Sequence, residues 1–147
     1  MATWLTAPFE SAESGNLVMG TVRKDVEKFR SNNRFKYRIN VKWDYTPDTH
    51  GMPSEAVSEQ MEEVTNALNE AFTKDPVAVL TGIYTGEGAR DLVFYTLSLH
   101  IFQRKFNEIL ADYPTLPLSF EAEEDAEWEE HSQMLTIAEA SDGDNAE

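Results

Sequence analysis

The chain of 147 residues suits one domain and is long enough to bury a sizeable core. Its hydrophobic content of 41% and aromatic content of 11% exclude a disordered chain, and the lack of cysteine removes disulfides, thiolate catalysis and cysteine metal sites together. The formal charge of −15 is uneven: residues 121–147 hold eleven acidic residues and no Lys or Arg, whereas Arg23–Lys42 holds eight bases against Asp25 and Glu27. Such a chain repels nucleic acid and anionic lipid overall, with a local basic patch as the one attractive region.

The N-terminus "MATWLTAPFE" has neither a basic start nor a long apolar run, so no signal peptide is expected. No segment approaches the roughly 20 apolar residues of a membrane helix, and a cytoplasmic protein is the expectation. Residues 1–16 read as an irregular segment, with Pro8 and "SAESGN" as turn signals. "LVMGTV", residues 17–22, reads as a short strand, and "RKDVEKFRSNN" as one or two helical turns. "FKYRINVKWDY", residues 35–45, alternates without a break: Phe35, Tyr37, Ile39, Val41, Trp43 and Tyr45 share one parity, and Lys36, Arg38, Asn40, Lys42 and Asp44 the other.

"TPDTHGMPS" is a loop, because Pro47, Gly51 and Pro53 do not fit inside an element. Val57, Met61, Val64, Leu68 and Phe72 then draw one apolar stripe along a helix expected over 54–73. "VAVLTGIYT" and "RDLVFYTL" are apolar on both parities, as central strands are, and "GEGA" between them supplies the glycines of a hairpin turn. Ser98 caps a second helix over 99–112, with the stripe Leu99, Phe102, Phe106, Ile109, Leu110 and Tyr113. "LSFEA" is a last strand. "EEDAEWEEHSQML" suits a short helix with carboxylates near its start, and residues 136–147 read as a disordered acidic tail.

The order from residue 35 is β-α-β-β-α-β. It predicts an α+β fold: a ferredoxin-like two-layer sandwich, its antiparallel sheet carrying two helices on one face. An N-terminal strand and a short C-terminal helix are added, and residues 17–135 form the single domain. A strand sends alternate side chains to opposite faces, so the aromatics of 35–45 are expected inward, against the helices, and the bases outward. Sheet-type RNA readers need the reverse, stacking aromatics on the face away from the helices. Some of Leu80, Tyr84, Val93 and Tyr95 must also point away from the two helices. The N-terminal segment with Trp4 and Phe9, the C-terminal helix with Trp128 or a second subunit is expected to cover them, the helix or a partner of similar chemistry bringing its carboxylates towards Lys36, Arg38 and Lys42.

The search for chemistry returns little. His50, His100 and His131 have no metal-ligand spacing to one another, and "TGIYTGEGAR" lacks the Lys-Ser/Thr of a phosphate-binding loop. The acid run Glu121–Glu130 offers no distinct environments to separate two pKa values. No catalytic residue, cofactor or metal is assigned.

"INVKWDY", "HGMP", "VLTGIYTGEGARDLVFY" and "DAEW" resemble the family of domain of unknown function 695, from about residue 35 to 135. The most specific pieces are the hairpin from Thr81-Gly82 to Arg90, with Phe94-Tyr95, and Asp125-x-x-Trp128. The family commonly carries proline at position 126 and tyrosine at 131, where this chain has Ala126 and His131. The resemblance implies a small, mostly bacterial α/β protein, similar in outline to acidic regulators of ribonuclease E activity, with no catalytic residues to carry over.

Three readings follow. The first is a non-enzymatic protein-binding or regulatory domain whose acidic surface takes a basic partner, for instance as an inhibitor or immunity-type protein, or that dimerises through the non-helical sheet face. The second is a small-ligand binder or minor enzyme with a pocket near His50, Tyr84 and Arg90. The third is RNA binding through residues 23–42. Lys36, Arg38, Lys42 and Trp128 mark the candidate partner surface.

Overall fold

The computed structural model describes residues 3–10, 17–49 and 51–145. The elements are β1 (Trp4–Glu10), β2 (Leu17–Arg23), α1 (Glu27–Ser31), β3 (Tyr37–Asp44), α2 (Glu55–Lys74), β4 (Ala78–Gly86), β5 (Ala89–Thr96), α3 (Leu99–Ile109), β6 (Leu118–Glu124) and α4 (Glu129–Asn145). All six strands join one antiparallel sheet in the order β1-β2-β4-β5-β3-β6. The fold is therefore α+β, and the sheet is wider than the four strands of the β-α-β-β-α-β unit: the expected N-terminal strand, β2, extends it past β4, and β1, which was not expected, extends it further. Among the described residues no helix is long and apolar enough to cross a membrane.

Local chemistry explains the element boundaries. Ser54 and Ser98 cap α2 and α3, each hydroxyl accepting from the N–H three residues on, at 3.3 Å. β4 and β5 meet in a two-residue turn, with Gly86 opposite Ala89 and positive φ at both Glu87 (58°) and Gly88 (81°). That is the type I′ geometry, whose twist matches the flanking strands.

Two expectations about the chain ends are corrected. Residues 4–10 are not irregular but form β1, paired along its whole length with β2. Pro8 reads as a turn signal, yet the Lys24 N–H to Thr3 carbonyl bond sets an alternation that turns the Pro8 nitrogen outward from the sheet. An outer strand loses nothing there. The expected tail is likewise helical, because α4 runs on to Asn145 and buries Ala138 against the sheet.

Because β4 and β5 are apolar on both faces, the sheet has two cores. On one face Ile39, Val41 and Trp43 of β3 join Leu80, Leu92 and Phe94 beneath Met61, Val64, Leu68 and Phe72 of α2 and Phe102 and Phe106 of α3. Full burial of each such side chain contributes on the order of 1.5–3 kcal/mol. Leu99, in the first turn of α3, stays exposed despite its place in the stripe. On the other face Val79, Tyr84, Val93 and Tyr95 lie with Val22, Ala7, Trp128 and Ala138. A bulge between Leu80 and Gly82 inserts Thr81, which puts Leu80 and Ile83 on the same face although they are three apart.

The inward set of β3 is as expected for Ile39, Val41, Trp43 and Tyr45, while Tyr37 is half-buried. Phe35 departs from it. β3 begins only at Tyr37, so strand alternation does not bind residue 35, and Phe35 packs into the α4-side core, edge-on to Phe29 at 5.3 Å between centroids.

Two glycines make the α4-side core flat. A Cβ at Gly20 would sit 2.2 Å from the Phe9 ring, and one at Gly82 would sit 2.7 Å from the Tyr84 ring. Gly82→Val is therefore expected to lift Tyr84 and cost about 1–3 kcal/mol in urea denaturation. Ending the chain after Glu124 is expected to lower stability further and to raise hydrophobic-dye binding; unchanged dye binding would contradict the second core.

Candidate functional site

The Asp125-x-x-Trp128 motif fixes α4 to the sheet. Asp125 accepts from the N–H groups of Glu129 (2.9 Å) and Glu130 (3.2 Å), so it caps α4. The same carboxylate accepts from the Tyr95 hydroxyl at 2.7 Å and from Arg38 at 3.4 Å. Trp128, held at φ +56°, stacks on Tyr95 at 4.1 Å between centroids and donates its indole N–H to the Phe35 carbonyl at 2.8 Å. His131 is buried beside it, its Nε2 2.7 Å from the Arg23 carbonyl. A carbonyl only accepts, so Nε2 carries the proton and Nδ1 is left without a partner among the described residues.

Contrary to the expectation that the acid run Glu121–Glu130 offers no distinct environments, this network separates two of its titrating groups. Burial opposes ionisation of Asp125, but the Tyr95 hydroxyl, two helix N–H groups and Arg38 outweigh it and hold the carboxyl below its ordinary value. Glu130 has no such donors. Burial pushes it up to about 7, assisted by the Asp125 charge and opposed by Arg38. Burial also pushes the His131 imidazole down, against its bond to Arg23.

The concave site lies elsewhere, on the α2 face. β2 and β1 extend past the flank of α2, and the space between them is a cleft of about 590 Å³. One wall is a polar stripe on α2: Ser58, Glu62, Thr65, Asn66 and Asn69. The other is Trp4 of β1 with Met19 and Thr21 of β2, and Met52 also lines the cleft. Arg90 forms part of the floor at 6% exposure, donating to Thr85 (2.9 Å), Thr65 (3.3 Å) and Glu62 (3.1 Å). Arginine has five N–H donors, so two stay uncommitted among the described residues.

The residues nominated from sequence scatter. Arg90 lines the cleft, and its acidic partner is Glu62. Tyr84 does not join it: Thr85 faces Arg90 across the hairpin and Tyr84 faces Asp91, which puts Tyr84 on the α4 side, edge-on to Phe9. His50 lies outside the described residues. Arg38 meets the α4 anchor and also Glu123 of β6. Lys42 is exposed and 4.0 Å from Asp44, Lys36 is exposed ahead of β3, and Trp128 is buried. The non-helical sheet face, one expected route to a dimer, is occupied in part by α4. Sequence reasoning missed Glu62, Thr65 and Asn66, whose signal was a polar row flanking the apolar stripe of α2, and it expected Trp4 with Phe9 on the opposite face, where only Phe9 lies.

The chain belongs to the family of unknown function DUF695, whose model matches residues 13–136. No curated protein and no solved structure matches the chain. The expected likeness to regulators of ribonuclease E activity draws no support from this match.

Opposite pH profiles are expected from the two carboxyls at the start of α4. The native state holds the Glu130 proton more tightly than the unfolded chain does, so stability falls as pH rises from 4.5 to about 7. Glu130→Gln removes that penalty and is expected to stabilise by on the order of 1–3 kcal/mol at alkaline pH and very little under acidic conditions. Asp125→Asn is expected to cost about 1–3 kcal/mol at neutral pH, a loss that shrinks as pH falls through the lowered native pKa. Urea denaturation across pH checks both; a pH-independent effect of Glu130→Gln would contradict the assignment.

Proposed function

We propose that this is a small-molecule-binding protein whose cleft takes an uncharged ring with one apolar face and a hydrogen-bonding rim. The observation that carries this reading is the opposition of walls: amides and hydroxyls of α2 on one side, and on the other the mainly apolar set Trp4, Met19 and Met52, with the Thr21 hydroxyl among them. Pockets of roughly 300–1,000 Å³ that pair apolar surface with a few placed polar groups are the usual setting for such ligands. The Asn66 and Asn69 amides make no side-chain hydrogen bond to the described residues, so they offer both donors and acceptors. Arg90 is offset by Glu62, which favours a neutral ligand over an anion. Besides Arg90, Glu62 is the one titratable group on the described lining, which supports binding rather than turnover.

The finer architecture is part of this reading. β3 to β6 with α2 and α3 form a ferredoxin-like βαββαβ unit, supported by the order β4-β5-β3-β6, and the β1–β2 hairpin is an addition that builds the second cleft wall. A cytoplasmic setting suits a cysteine-free chain with no membrane-spanning helix among its described residues. RNA binding through the early bases would draw on a reduced set, since Arg38 is paired to Glu123 and Asp125, and Arg23 to Asp25.

A panel of nucleosides and a panel of mono- and disaccharides, both sharing this chemistry, separate its two sources. Trp43 and Trp128 are buried and Trp4 is half-buried, so quenching of Trp4 fluorescence reports occupancy. A member of one panel is expected to quench wild type but not Trp4→Phe, with affinity lowered at least tenfold in Asn66→Leu. Failure of both panels to perturb Trp4 would refute the reading.

A further inference from the structure

The two edges of the sheet are unlike. At β1 the row of outward-facing nitrogens is interrupted at Pro8, which has no N–H to offer. At β6 the Asp125 N–H to Lys36 carbonyl bond fixes the alternation of the β3–β6 ladder, so the N–H groups of Glu123, Glu121 and Ser119 point to β3. Those of Phe120, Ala122 and Glu124 point away from the sheet. β6 is a seven-residue outer strand, and every one of its side chains after Leu118 is exposed.

Its side chains divide by face. Ser119, Glu121 and Glu123 lie on the side of Arg38, Asn40 and Lys42, while Phe120 lies with Val41 on the α3 side, edge-on to Phe106 and 51% exposed. The strand already has one partner of known character. β3, hydrogen-bonded to its inner side, alternates bases with apolar residues, placing Arg38 opposite Glu123 and Val41 opposite Phe120. The outer side presents the same two rows of side chains and a row of backbone donors and acceptors that no described strand uses.

We propose that β6 is a docking edge for an extended peptide segment of a basic partner protein, added as a seventh strand, with Lys or Arg alternating with apolar residues. Main-chain hydrogen bonds supply the pairing, and the alternation supplies the choice of partner. Basic side chains meet Glu121 and Glu123, and apolar ones cover the exposed Phe120 ring. A second copy of this chain is a poor occupant, because antiparallel β6–β6 pairing brings Glu121, Glu123 and Glu124 of both copies together and each copy carries a formal charge of −15. The edge is remote from the cleft, which opens beside β1 and β2 at the other end of the sheet.

The test uses the full chain and a fluorescein-labelled peptide KYRINVKW, a copy of residues 36–43, read by anisotropy at low salt. The control peptide KRNKYIVW keeps the composition and removes the alternation. Binding of the first at least tenfold tighter than the second is expected. Ala122→Pro, which deletes an outward N–H and leaves the ladder to β3 intact, is expected to weaken binding at least tenfold with circular dichroism unchanged. Glu121→Lys, an exposed reversal of charge, serves the same purpose should the proline disturb folding. Asn66→Leu in the cleft should leave peptide binding within twofold, so failure of the cleft reading and failure of this one are separable. Equal binding of both peptides, no binding, or binding indifferent to both β6 variants would overturn the proposal. So would a wild-type dimer made monomeric by Ala122→Pro, which would identify the occupant as a second copy.

Discussion

The constraint on which the structure depends is that β4 and β5 are apolar on both faces and so need cover on both. A two-layer fold would leave Val79, Tyr84, Val93 and Tyr95 in water, a contiguous patch of the kind that drives association. α2 and α3 cover one side, and α4 with the β1–β2 hairpin covers the other. α4 cannot do this by amphipathicity alone, since its only fully buried residues in the described part are His131 and Ala138. The anchor lies just before it: Trp128 stacks on Tyr95, and Asp125 joins the helix N-terminus, Tyr95 and Arg38. One carboxylate thus ties the start of a helix to two strands.

Covering the centre twice leaves the ends of the sheet as the places where surface remains. At the β1–β2 end the sheet outruns α2 and a cleft forms; at the β6 end no described element caps the sheet. Bases and acids follow the same division. Arg90 sits under the cleft, neutralised by Glu62, whereas Arg38 stands at the opposite end, shared between Glu123 and Asp125. Each cation holds a helix to the sheet, α2 in one case and the start of α4 in the other, which makes both of them fixed points beside open surface rather than free charges upon it.

The legible part of the fold was the part governed by strict period. The alternation of residues 37–45, the four-three-four-four steps of α2 and the Glu87-Gly88 turn all carry a period or a turn chemistry that few other conformations satisfy. Where the period was broken or overridden, reading failed. Phe35 lies two residues before its strand and obeys a tertiary contact with Phe29 instead. Pro8 looked like a breaker because its nitrogen's direction depends on pairing with β2, which sequence does not reveal. The acidic tail is helical where docking of Ala138 overrides its composition.

The candidate site was less legible than the fold, and one error shows why. The expected pocket joins Tyr84 and Arg90, which flank the same hairpin, yet they lie on opposite faces. The information to separate them was present: a two-residue type I′ turn at Glu87-Gly88 pairs Gly86 with Ala89, and counting back pairs Thr85 with Arg90. Thr85, not Tyr84, therefore shares the Arg90 face. Glu62 and Thr65 were beyond such counting, since nothing local tells a strand arginine which turn of a helix 25 or more residues earlier will lie above it. Register within a hairpin is a local property fixed by its turn, whereas a helix-to-sheet contact is set by the whole packing of the core, and sites built from both kinds of contact are only half readable from a single chain.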